Sequence, residues 1–264
     1  MTRVLSLALL GGILAGGCGH LVTDLAPLEL GDCPEGAELL QRSFGCESDG
    51  PLLACALGAL REDDRPALRR TAFGARLCKL LAERETDPGR REKLAAEGVR
   101  LAEEALALGA TDDGAVYYYL GANLGIAVRD HSMLAFQNLS RLHEVMQKAQ
   151  ALAPAEDQGG PGRILGVLYL KAPPWPKGIG DVDKALDVLA QLVQAHPEHP
   201  LNHLFYAQAL WQAEEDDARA QVDRELAEVA RLLANGAWGL CAEPWRKEMQ
   251  TFVSKLPAAA ADGK

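Results

Sequence analysis

Apolar residues recur at helical spacing along almost the whole chain from Glu35 to Leu256. No stretch alternates with period two for long enough to make a sheet strand. Helices are predicted near 50–61 and 65–85, with Pro51 and Pro66 in their first turns, where a missing N–H costs nothing. Asp87-Pro88 opens a helix with Leu94, Gly98, Leu101, Ala102, Ala105 and Leu108 on one face, and Gly109 closes it. Asp112-Asp113 begins the next, which carries Tyr117 to Tyr119 and the small positions Gly121 and Gly125. A long helix from about Met133 to Leu152 ends at Pro154 and Gly159-Gly160. Pro200 opens a helix that is apolar on nearly every side, as expected of one held between neighbours. Its partner has Val222, Leu226, Val229 and Leu233 at helical spacing and stops at Asn235-Gly236. A last short helix is expected from Glu243 to Leu256. Residues 19–34 lack periodicity and read as a tether, and 257–264 read as a frayed tail.

The stretch 159–200 organises this pattern. Two helical segments there flank a loop of Pro173, Pro174, Trp175, Pro176, Gly178 and Gly180. Leu165-Gly166 with Tyr169, then Ala185, Leu189, Leu192 and Pro197, resemble the two halves of a tetratricopeptide repeat with an enlarged turn. Leu120-Gly121 with Leu124, and Ala207 with Leu210, echo the boxes. Small residues at such places let helices interlock, and the proline ends each unit. The fold class expected is therefore all-α: a tetratricopeptide-like stack of antiparallel helical hairpins over 35–256, with roughly ten helices.

Composition agrees. Ala and Leu dominate, aromatics are 5% and charged residues 24%, a balance that favours helix. A net charge of -10 without a basic stripe argues against a nucleic-acid partner. Residues 1–17 read as a signal peptide: Arg3, an apolar run from Val4 to Leu14 too short to span a bilayer, then small residues. Ala15-Gly16-Gly17-Cys18 resembles the lipobox of bacterial lipoproteins, which implies a lipidated Cys18 and a tether over 18–34. Gly19 in place of an inner-membrane-retaining Asp leans the address to the outer membrane, facing the periplasm. A secreted chain can form disulfides among Cys33, Cys46, Cys55, Cys78 and Cys241. If the helices near 50–61 and 65–85 make a hairpin, Cys46 falls opposite Cys78, which leaves Cys33 for Cys55 and Cys241 unpaired.

Candidate chemistry is sparse. His196, His199 and His203 cluster, but a helix break separates them and no cysteine or H-E-x-x-H accompanies them, so a solvated turn is favoured over a metal site. Gly178-Ile179-Gly180-Asp181 lacks a preceding strand and places Asp where a phosphate would sit. The carboxylates form runs of the kind that solvate surfaces, and no nucleophile motif is present, so no enzymatic role and no cofactor is expected. The consecutive Tyr117, Tyr118 and Tyr119 cover most of a helix circumference, so at least one is expected to leave the core and face a groove or a neighbour. Since first helices line the concave side of such stacks, the candidate ligand or partner residues are Tyr118, Asn123, Arg163, Tyr169, Asn202 and Tyr206. Trp175 joins them, on a rigid projection that a stack does not need for its own packing.

The order of these blocks, YYYLGANLG, a long helix, then GRILGVLYLKAPPWPKGIGDVDKAL and HPEHPLNHLFYAQAL, resembles the T-component of TRAP-type transporter systems over residues 85–235. The resemblance implies a periplasmic, lipid-anchored helical protein that associates with the periplasmic solute-binding protein of such a transporter. It also implies self-assembly around a pore and handling of a hydrophobic or organic-acid ligand, with Arg163, Tyr169 and Trp175 as the positions to watch. The competing expectation is a general tetratricopeptide scaffold for an envelope complex with no small-molecule ligand.

Overall fold

The computed structural model describes residues 33–34, 36–60, 66–213, 218–236 and 238–257. The expected signal peptide, Cys18 and the tether as far as residue 32 lie outside the described residues, as does the tail after Pro257. Every described helix begins or ends close to a signal in the sequence. After the single turn α1 (Gly36–Leu39) come α2 (Gly50–Ala59), α3 (Ala67–Arg84), α4 (Pro88–Ala107), α5 (Gly114–Val128) and α6 (Ser132–Leu152). Then follow α7 (Gly160–Lys171), α8 (Val182–Ala195), α9 (Pro200–Ala213), α10 (Ala218–Ala234), a 3-10 turn (Gly239–Cys241) and α11 (Ala242–Val253). Asp49, Asp87, Asp113 and Asp181 cap α2, α4, α5 and α8, accepting from the amides of Leu52, Arg90, Ala115 and Lys184. Each such cap is worth about 1 kcal/mol. The chain is all-α, and no described helix is long and apolar enough to cross a membrane.

From α2 to α10, consecutive helices pack as neighbours wherever the chain between them is described. In addition α3 touches α5, α5 touches α7 and α7 touches α9, whereas α4, α6, α8 and α10 do not approach one another. The stack therefore curves, with the odd-numbered helices inside and the even-numbered ones outside. This explains why α5 and α9 are apolar on all sides: α5 lies among α3, α4, α6 and α7, and α9 among α7, α8, α10 and α11. Tyr117, Tyr118 and Tyr119 are accordingly all buried.

Small residues set the spacing inside the stack. A Cβ on Gly98 of α4 would collide with the side-chain amide of Asn123 on α5. That amide is fully buried and donates to the carbonyls of Ala75 and Tyr119, both at 2.8 Å. One on Gly166 of α7 would come within 2.5 Å of Leu189 on α8.

The two ends of the stack meet. α1 and α2 pack on α3 through Leu39, Leu53, Leu57 and Leu77. At the other end Trp238, Trp245, Met249 and Phe252 pack on Leu204, Val229 and Leu233. Cys33–Cys55 pins the start of the described chain to α2, in agreement with the sequence expectation. The other expected pairing is corrected: Cys46 is joined to Cys241, and Cys78 lies outside both disulfides. Cys78 faces into the α2–α3 core, fully buried, while Cys46 stands in the loop ahead of α2 where the C-terminal turn folds back to it. The amide of Leu240 donates to the Cys46 carbonyl at 2.9 Å beside the bond.

Because the Asn123 amide can move only by giving up two buried hydrogen bonds, Gly98→Ala should cost about 2 kcal/mol despite alanine's better helix propensity. Thermal melting followed by circular dichroism should show a midpoint lowered by about 4–8 °C. Gly89→Ala near the exposed start of α4, where a Cβ would meet only the Asp87 carboxylate at 3.5 Å, should cost almost nothing.

Candidate functional site

The α6–α7 connection is built against local preference. Asp157, Gln158 and Gly159 have φ of 50°, 51° and 85°, so two non-glycine residues in succession hold the left-handed conformation. Such strain persists only where the surroundings over-determine it. Here the surroundings are a side chain from each inner helix. The Asp157 carboxylate accepts from the hydroxyl of Tyr118 on α5, from Arg163 Nη2 on α7 at 3.1 Å and from Lys79 Nζ on α3 at 3.4 Å. Arg163 also donates to the carbonyls of Asp157 and Gln158, at 3.0 and 3.4 Å, and to Asn202 Oδ1 on α9 at 2.8 Å. Asn202 in turn donates to the carbonyls of His196 and Gln158. Next to this network Tyr119 donates to Glu156 at 2.7 Å, and Lys79 pairs with Glu83 at 3.1 Å.

The charges in this network are fixed. Burial alone would raise the Asp157 carboxyl, but Lys79 and Arg163 outweigh it and hold the group below the usual carboxylate range. Burial pushes the Tyr118 hydroxyl well up, and the Asp157 charge adds to that. Burial would lower Lys79, yet Asp157 and Glu83 raise it well above its ordinary value. At neutral pH the phenol, the carboxylate and the ammonium each sit far from titration.

These groups form part of the wall of a concave cavity of about 500 Å³ on the inner side of the stack. Arg76 and Arg129 bring further positive charge to the lining, and Phe44, Trp238, Trp245 and Leu201 bring apolar surface. The loop holding Cys46 and the turn holding Cys241 both contribute to its lining. His199 lies against Trp238 and Trp245 with ring centroids 5.2 and 5.0 Å away. Its Nδ1 accepts from the Leu201 amide at 3.2 Å, which fixes the neutral tautomer. Burial and then the Arg163 charge push its pKa down to about 2. His203 is the opposite case. Burial would lower it, but its Nδ1 contacts Glu225 at 2.6 Å and its Nε2 the Pro197 carbonyl at 2.7 Å, and these acceptors raise it. The turn itself is solvated at Pro197 and Glu198, as expected, but His199 and His203 beyond it are both buried, and they serve different neighbours. Among the described residues no group of three His, Cys, Asp or Glu side chains could hold a metal ion.

The seven groove candidates separate into distinct places. Tyr118 and Arg163 line the cavity. Asn202 is fully buried behind Arg163, and Asn123 fully buried between α3 and α5, so both join helices and present nothing to the groove. Tyr169 hydrogen-bonds His143 on α6 at 2.8 Å, and its carbonyl accepts from the Asp181 amide at the base of the 173–180 loop. Tyr206 is half-buried against the apolar clusters around α8 to α10. Trp175 stands away from the cavity, 85% exposed. Its loop is closed by amides of Lys177 and Gly178 to the Pro174 carbonyl and of Gly180 to the Pro173 carbonyl. Sequence reasoning missed Asp157, Lys79, Arg76, Trp238 and Trp245. The one local signal was Asp157-Gln158 ahead of Gly159-Gly160, which reads only as a helix end. No protein-family model matches the chain, and no curated protein matches it in sequence.

Arg163→Met should leave Asp157 short of one of its two cationic partners and free the left-handed turn. A fully buried pair would lose 3–5 kcal/mol, but the Asp157 side chain is 35% exposed, so we expect about 2 kcal/mol in urea unfolding. The two buried histidines set opposite pH limbs. His203, raised in the folded state, adds stability that is complete below about pH 6.5 and fades as pH rises through its folded value. His199, depressed to about 2, stays neutral while the unfolded chain protonates, so stability falls as pH drops below about 6.5. Urea midpoints measured from pH 9 to pH 4 should therefore pass through a maximum. His203→Gln should flatten the alkaline limb, and His199→Phe the acid limb down to the range where carboxylates titrate.

Proposed function

We propose that the protein is a non-catalytic, lipid-anchored helical-repeat component of the bacterial envelope, held through Cys18 at the outer membrane and facing the periplasm. In this reading it is an accessory binding component of a TRAP-like solute uptake system and contacts the periplasmic solute-binding subunit. The observation that carries the reading is the cavity on the concave side. The repeat-like boxes at Leu120-Gly121 and Leu165-Gly166 fall on α5 and α7, both inner helices that wall the cavity, which supports a tetratricopeptide-like arrangement. The groups in the cavity wall support binding over catalysis, because Lys79, Tyr118, Asp157 and His199 are each held in one protonation state instead of being poised to exchange a proton. The two disulfides support an oxidising compartment.

Trp175 supplies the contact. Its loop spends main-chain hydrogen bonds and three prolines to hold an indole in water, so little ordering entropy remains to be lost on docking. A Cβ on Gly178 or Gly180 would strike the carbonyls of Pro173 or Ala172, so the loop closes tightly at both glycines. Trp175→Ala should keep the circular dichroism and melting midpoint of the parent and weaken capture of a TRAP solute-binding subunit at least about tenfold, the scale of a buried tryptophan anchor. Loss of folding in this variant would make the loop structural. Unchanged capture would remove it from the contact.

A further inference from the structure

Two segments of the cavity wall that belong to different apolar clusters are joined by one covalent link. The loop before α2 belongs to the apolar cluster on α3, and the turn before α11 to the cluster on α9 and α10. Cys46–Cys241 joins them across 195 residues, assisted by the Leu240 amide on the Cys46 carbonyl. Two features distinguish the sulfur of Cys241. It belongs to the last residue of the 3-10 turn that runs into α11, a helix of 12 residues, where the side chain makes no hydrogen bond to the helix amides but lies next to a helix N-terminus, which favours negative charge. Arg84 at the end of α3 also places Nη2 at 3.4 Å from that sulfur, while donating to the carbonyls of Ser48 and Gly45. A cation and a helix N-terminus together stabilise a thiolate. Cys46 is the more accessible half of the pair, while Cys241 is buried.

We infer that Cys46–Cys241 is a reducible clasp in the wall of the cavity. A thiolate of a dithiol reductant attacks Cys46 Sγ, the disulfide breaks, and Cys241 leaves as a thiolate held by Arg84 and the α11 N-terminus. The second thiol of the reductant then attacks the mixed disulfide and releases the Cys46 thiolate. The reductant becomes a disulfide and gives up two electrons and two protons; the protein takes both electrons, the Cys46 thiolate takes one proton, and the other passes to solvent while Cys241 stays a thiolate. Both clasped segments keep their own apolar clusters, so the product is a loosened cavity wall in a folded stack. Regulation of ligand access rests on the proposed binding role of the cavity, but the chemistry of the clasp does not.

The test uses the oxidised protein. Brief exposure to a monothiol, glutathione, followed by acid quenching and peptide mass analysis should find the mixed disulfide on Cys46; an adduct on Cys241 would overturn the inference. Dithiothreitol should then open Cys46–Cys241 while the helical circular dichroism persists, with hydrogen exchange rising at 44–49 and 239–241 and unchanged in α5 and α7. A bond that yields only as the helix signal is lost would make it purely structural. Arg84→Gln should slow reduction roughly three- to fivefold, and Arg84→Lys should recover part of that rate. Losing the bonds to Gly45 and Ser48 would by itself loosen the loop and speed attack, so an equal or faster rate in Arg84→Gln also counts against the clasp. Capture of the solute-binding subunit is measured separately on the oxidised protein, so failure of that reading leaves these outcomes intact.

Discussion

One carboxylate holds the inner layer together. Asp157 gathers Lys79 of α3, Tyr118 of α5 and Arg163 of α7, and through Arg163 it reaches Asn202 of α9. Each inner helix therefore sends a polar side chain to one point. Apolar packing between helices fixes how close they come, but it tolerates sliding along a ridge. A charged hub with directional partners does not, because a shift would leave a cation or a carboxylate without its mate in a partly dehydrated place. The backbone of the hub shows the cost: two successive left-handed non-glycine residues persist because Arg163 grips both their carbonyls and the carboxylate between them.

The helices themselves were legible because their signals are local. Aspartates at caps, prolines in first turns and glycines at ends act within a turn, so Asp87-Pro88 and Asp113 mark boundaries without any tertiary knowledge. All-round apolarity likewise marked the helix opened by Pro200 as one enclosed by neighbours. What sequence could not supply was which polar residues meet. Asn123, Asn202 and Arg163 share helical positions consistent with a groove, yet only Arg163 reaches the cavity, because burial of an amide depends on what packs over it from a helix far along the chain. The same limit explains the cysteines. Pairing across the α2–α3 hairpin considered neighbours in sequence, whereas Cys46 finds Cys241 only because the C-terminal turn returns over the concave side.

The histidines make the point on a smaller scale. His199 stands just before α9 and His203 in its first turn, four positions apart, and both are buried. One is enclosed by tryptophans beside a guanidinium and kept neutral; the other lies between a carboxylate and a carbonyl and is favoured as a cation. Their spacing invites a shared ligand, which the helix boundary between them argues against. Their surroundings give them opposite charge preferences.

A row of stacked helices is ordinarily close to one-dimensional: each unit feels its neighbours only, end units loosen first, and stability accumulates piece by piece. Joining Cys46 to Cys241 changes the topology from an open row to a loop. A cross-link spanning so much chain removes about 5 kcal/mol of entropy from the unfolded ensemble, and it does so for the assembly as a whole, not for any one unit. The first and last layers then share their fate, and fraying from either end is penalised by the other. The closed protein should respond to stress as one cooperative body, where an open row of the same helices would come apart in stages.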